Sequence, residues 1–161
     1  MADIVSERYA QSLYEVAKDE KQEKEYLEEL TAVCGAFREN PDFLKLLTTP
    51  SIAFEDKQNV LKTVFEGKIR PFVLNFLMLT TEKGRIGLIH EMREAYKEQY
   101  YFENNIAEVC AVTAVPMSDA LRDRLKNKMQ AVTGRQVVLE TSVDPEIIGG
   151  IVVKVNNEQF D

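Results

Sequence analysis

Gln136–Asp161 reads QVVLETSVDPEIIGGIVVKVNNEQFD, and this stretch decides between an all-helical chain and a mixed one. Val137 to Val143 alternates apolar and polar residues, the period of a strand with one face buried. Asp144 and Pro145 then set a turn, because proline fixes φ and withholds a donor. Gly149–Gly150 lets the backbone turn or pass close to a neighbour. The run Ile151, Val152, Val153, Val155 is short, β-branched and bounded by turn residues, so it predicts a buried strand. Asn156–Asn157 offers a hairpin turn. A returning strand would start at Gln159 and Phe160, beside an apolar edge left open by the end of the hairpin at Asp161.

Upstream of Asn104–Asn105 the period is helical. Ile4 to about Asp19 carries Val5, Tyr9, Leu13 and Val16 at helical spacing. About Gln22 to Glu39 is striped by Tyr26, Leu30, Val33, Cys34 and Phe37, and Asn40–Pro41 ends it. A short helix over about Asp42 to Leu47 stops before Pro50. The fourth, about Glu55 to Glu66, closes on Gly67, where left-handed φ is wanted. Pro71 suits the first turn of a fifth helix ending near Gly84. The sixth runs from about Ile86 to Glu103, with Ile89, Met92, Tyr96 and Tyr100 facing inward. Beyond the asparagines, Ala107 to Val115 reads as a strand and Pro116 breaks it. Ser118 caps a helix carrying Leu121, Leu125, Met129 and Val132, with Gly134 after its end. The expected fold is therefore α+β: a six-helix bundle over residues 1–105, then a small β-α-β-β domain over 106–161. A domain that small buries little of its surface and is marginal alone.

Composition narrows the function. The chain has 161 residues, 45% of them hydrophobic and 29% charged, which is the balance of a folded globular protein. Its formal charge of −7 argues against a nucleic-acid partner. No apolar run approaches the ~18 residues that a membrane-spanning helix needs. The N-terminal MADIVSER has neither a secretory nor a mitochondrial-targeting pattern, which leaves a bacterial cytoplasmic protein or a processed form and favours the bacterial one. Cys34 and Cys110 both read as buried free thiols, packing as small hydrophobes.

The fifth helix carries the most informative pattern. On a helical wheel Phe72, Phe76 and Leu79 fall on one side and Leu74, Leu77 and Met78 on the other, and Asn75 is the only polar residue before Thr80. Either this helix is central to the bundle and covered all round, or one face receives a partner helix. The first helix has a matching broad apolar arc, with Val5, Tyr9 and Val16 at one edge and Ser12 bordering it.

Several motifs together resemble the delta subunit of the rotary F-type ATP synthase, the family of the oligomycin-sensitivity-conferring protein. Asp144, Pro145, Ile148, Gly149, Gly150 and Asp161 match its D-P-x-x-I-G-G region. Tyr9, Ala10, Leu13, Tyr14 and Ala17 match its opening helix. Pro50, Ser51 and Lys57, the Asn75–Phe76 pair, Gly84–Arg85 and the AVTAVPMS link from Ala111 to Ser118 match in order across nearly the whole chain. The family usually continues past this point into a basic final helix, which the resemblance implies would cover part of the sheet and add to a stalk contact. It further implies a non-catalytic stator for proton-driven ATP synthesis, peripheral on the cytoplasmic face of the bacterial cell membrane and membrane-associated only through its complex. The helical domain would hold the N-terminal helix of an alpha subunit in a groove formed by Val5, Tyr9, Ser12, Leu13, Val16, Phe72, Asn75, Phe76 and Leu79. The second domain would meet the b subunit of the peripheral stalk, with Arg122, Arg124, Lys126 and Lys128 as stalk-facing candidates.

Chemistry is not expected. His90 is the only histidine and stands in no nucleophile–base arrangement. Two distant cysteines and one histidine do not make a metal site, and no Gly-rich phosphate loop follows a strand. No catalytic residue, cofactor or metal is assigned. The competing reading is a freestanding helical adaptor or RNA-binding regulator, since helical bundles serve many functions. The acidic charge and the absence of a basic stripe weigh against it.

Overall fold

The computed structural model describes residues 3–156 and 158–160, the last three by backbone alone. The chain forms two compact units, residues 1–100 and 101–161.

The first unit is a helical bundle: α1 (Ile4–Asp19), α2 (Glu23–Glu39), α3 (Pro41–Thr48), α4 (Phe54–Phe65), α5 (Pro71–Glu82) and most of α6 (Ile89–Glu103). Local chemistry sets the ends. Asp3 caps α1 by accepting from the Ser6 amide at 2.7 Å, and that bond holds its carboxyl below the usual range. Pro41 and Pro71 stand in the first turns of α3 and α5, where a missing N–H costs nothing. The sixth helix differs from expectation at its start, because Ile86–Leu88 is a 3-10 turn.

The core is assembled from the apolar faces of these helices, with α5 buried on most of its circumference. Tyr26, Phe37, Leu77 and Tyr96 are among its buried side chains. Tyr14 meets Tyr96 edge-on at 5.3 Å, and Phe37 meets Phe43 at 4.9 Å and Phe65 at 6.3 Å, tying α2, α3 and α4 together. The Tyr96 hydroxyl donates to the Glu23 carbonyl at 2.7 Å, and burial drives its pKa far up. Arg70, just before α5, donates its backbone N–H and its guanidinium to Glu29 of α2 and its Nε–H to Gln22. This clamp fixes where α5 begins against α2.

The end of α5 is set as firmly. Gly84 has φ +73°, and the Arg85 amide donates back to the Thr80 carbonyl at 2.7 Å, closing a Schellman turn. A Cβ on Gly84 would meet nothing within 4 Å, so only backbone strain opposes a side chain there. Gly84→Ala is expected to destabilise the first unit by about 1–2 kcal/mol, the cost of a left-handed L-residue. Urea unfolding followed by circular dichroism checks this; an unchanged midpoint would show that the turn re-forms differently.

The second unit holds β1 (Ile106–Thr113), α7 (Asp119–Thr133), β2 (Gln136–Val143), β3 (Ile151–Val155) and β4 (Glu158–Phe160). Sheet order is β2-β1-β3-β4, with β1 and β2 parallel and the other pairs antiparallel. The expected open apolar edge at β3 is confined to its start: β4 pairs with Val153, Lys154 and Val155, and Ile151 and Val152 have no partner on that side among the described residues. Asn156 takes φ +48° at the turn, and Asn157 lies outside the described residues. Alternate residues of β1 turn Ala107, Val109 and Ala111 inward, where they meet Val137 and Val153. Along β2 only Val137 is buried, so the apolar alternation of that strand is not matched by burial. Cys110 is also corrected: it points to the opposite face of β1 and is half-buried, whereas Cys34 is buried.

Candidate partner-helix seam and second-unit surface

Helix α5 is buried through Val73, Leu74, Phe76, Leu77, Met78, Thr80 and Thr81. What it leaves outside is a stripe at i, i+3 and i+7. Phe72 is 48% exposed and Leu79 46%, with exposed Asn75 between them. A helix this apolar that still presents Phe and Leu to water is not covered all round. Phe76, expected on the open side, is 7% exposed and buried. Its ring meets Tyr9 of α1 edge-on at 6.3 Å, which takes it out of the stripe and makes it part of the α1–α5 contact.

On α1, Val5, Tyr9 and Val16 are half-buried and Ser12 is exposed, while Leu13 is 4% exposed and belongs to the core. The expected residues therefore divide in two. Phe72, Asn75, Leu79, Ser12 and the rims of Val5, Tyr9 and Val16 are accessible along the seam; Leu13 and Phe76 support it from within.

Arg85 stands at this seam although nothing in its sequence position placed it there. Its guanidinium carbon lies 5.5 Å from the Tyr9 ring centroid, and Nη1 donates to the Tyr9 hydroxyl at 3.4 Å. The signal was Gly84, whose turn aims the next residue back over α1. Sequence spacing alone cannot supply that direction.

In the second unit α7 begins on Ser118, whose hydroxyl accepts from the Leu121 amide at 3.2 Å, and ends on Gly134 at φ +66°. None of its residues is buried. It packs against β2 and stands off β3, leaving two adjoining apolar cavities of about 510 and 370 Å³. Leu121, Leu125 and Met129 line one side, Ile151 and Val153 the other. Arg122, Arg124, Lys126 and Lys128 are all exposed and make no ion pair among the described residues. Arg124 and Lys128 border the cavities; Arg122 and Lys126 do not.

The titratable groups suit a structural role. Burial, with the charges of Arg38 and Arg93, lowers the pKa of His90. Burial pushes the Cys34 thiol up to about 11, which keeps it protonated and unreactive, with Sγ 3.8 Å from the Ile89 carbonyl. No group of three or more potential metal ligands occurs among the described residues. Among them, too, no helix is long and apolar enough to cross a membrane. Calorimetry of the purified chain with ATP or zinc is expected to give no stoichiometric binding; a one-to-one isotherm would refute this.

The first unit is thus a helical bundle with an exposed apolar stripe on α5, and the second is a small α/β unit. The profile of the ATP synthase delta (OSCP) subunit family matches residues 5–161, and the chain belongs to that family of structural, non-catalytic ATP synthase subunits. It is 32% identical over 161 residues to an ATP synthase subunit delta of Clostridium kluyveri, spanning all of this chain and 89% of the relative. A Solidesulfovibrio magneticus subunit delta is 36% identical over 163 residues, spanning 99% and 88%. A chain of the Toxoplasma gondii mitochondrial ATP synthase hexamer superposes with a TM-score of 0.76 at 19% identity, covering 97% of this chain and 86% of that one. That likeness carries the fold.

Proposed function

We propose that the chain ties the catalytic head of an F-type ATP synthase to its peripheral stalk, so that the head does not turn with the rotor. In this reading the α1–α5 seam of the first unit takes the N-terminal helix of the alpha subunit. The second unit meets the b subunit through the surface beside α7. In the same reading the chain lies on the cytoplasmic face of the bacterial cell membrane, peripheral and without its own lipid contact.

The observation that carries the reading is the exposed Phe72–Asn75–Leu79 stripe on a helix whose other residues between Phe72 and Thr81 are buried. Apolar rows at this spacing are what a docked amphipathic helix covers. The second contact is supported by α7, which keeps an apolar row uncovered beside two basic side chains. A freestanding RNA-binding adaptor is disfavoured by family membership and by the net charge of −7.

The test is reconstitution with separately purified alpha and b subunits. Residues 1–105 are expected to retain the alpha subunit and lose the b subunit. Retention of b by that fragment would reverse the assignment of the two units.

A further inference from the structure

We infer that Arg85 is a specificity-determining anchor of the α1–α5 seam: its guanidinium pairs with a carboxylate on the docking helix, and Tyr9 positions it. The inference rests on the reading of the seam as a helix-docking site. Three observations lead to it. Arg85 is exposed and forms no ion pair among the described residues. It is nevertheless held, with its guanidinium 5.5 Å from the Tyr9 ring centroid and Nη1 donating to the Tyr9 hydroxyl at 3.4 Å. Its backbone is pinned by the Gly84 turn and the bond from its amide to the Thr80 carbonyl.

A loose surface arginine loses side-chain freedom when it pairs, which offsets much of the gain. Arg85 has already lost part of that freedom against Tyr9, and the ring's other contact, Phe76, is buried. Its position just past the C-terminus of α5 favours a cation there even before a partner arrives. A helix lying over Leu79 would shield this end of the seam from water and strengthen a charge pair formed at its margin. The ligand chemistry follows: an amphipathic helix with an apolar stripe for Phe72 and Leu79 and an Asp or Glu at the end that meets Arg85. A lysine at that end would be rejected by like charge.

The experiment uses the full chain and a synthetic peptide copying the N-terminal helix of a bacterial alpha subunit. A second set of peptides carries each Asp or Glu changed singly to Asn or Gln. Arg85→Gln is expected to weaken binding by about threefold to tenfold and to flatten its salt dependence. One amide peptide should show the same loss with the unaltered chain and no further loss with Arg85→Gln. Tyr9→Leu should reduce that coupling, because it keeps apolar bulk but removes the aromatic shelf. Additive losses for every carboxylate, or an unchanged salt slope, would overturn the inference. Leu79→Asp separates the two levels. If it loses the peptide while Arg85→Gln binds like the unaltered chain, the seam stands and the role of Arg85 falls. If neither variant changes binding, the docking reading fails and takes this inference with it.

Discussion

Leu79→Asp is expected to weaken binding of the alpha-subunit helix by well over tenfold, more than about 1.4 kcal/mol, while leaving the chain folded. Leu79 is 46% exposed in the free chain, so the substitution removes little packing from the bundle. Its cost to folding has two small parts. Asp is a poorer helix former than Leu, and a negative charge in the last turn opposes the helix dipole; together they come to about 1 kcal/mol. In the complex the terms are larger. The lost apolar burial is worth about 1–2 kcal/mol, and an unpaired carboxylate would be forced against an apolar stripe. Calorimetric titration with the peptide, alongside thermal melting, separates the two effects. Leu79→Asn adds a control without charge. Full affinity in a folded Leu79→Asp chain would remove α5 from the docking face.

The second expected result is a large difference in stability between the two units. Amides of β2 that bond to β1 should exchange with solvent roughly a hundredfold faster than those in the middle of α2, about 2.8 kcal/mol at 1.4 kcal/mol per tenfold. In the first unit α2 alone buries Tyr26, Leu30, Val33, Cys34 and Phe37. Among the described residues the buried hydrophobic cluster of the second unit is Ala107, Val109, Val137 and Val153, with Met129 of α7 only partly buried against it. β2 is also an edge strand, paired on one side. A cluster of one alanine and three valines offsets little of the entropy of ordering the segment. If the surface beside α7 is the stalk contact, adding the b subunit should slow exchange in the second unit and leave α2 unchanged. Equal protection of β2 and α2 in the free chain would show the second unit to be self-sufficient.

The extent of most helices was legible because the signals are local, the start of α6 being the exception. Pro71, Gly67, Gly84, Ser118 and Gly134 act on backbone groups within a turn of themselves, so the chain announces these boundaries without reference to its fold. The switch to strands at Asn104–Asn105 is equally local: Asn105 takes φ +55°, which ends the helical run. The motif order that marks the family is likewise linear. Such features determined the α+β class, the two-part plan and the absence of a recognisable catalytic motif.

Only tertiary structure decided which apolar residues face water. Periodicity puts Phe72, Phe76 and Leu79 on one side of α5, but a helix apolar on both sides holds no internal reason to bury one and expose another. The Tyr9 ring makes that choice by covering Phe76. Pairing made the corresponding choice in the sheet, where β4 returns against Val153–Val155 of β3. The same holds for Cys110: its strand alternates, but nothing in the strand's own sequence says which face is the buried one. Arg85 is the sharpest case: its placement depends on an aromatic ring far away in sequence, and a turn brings the two together.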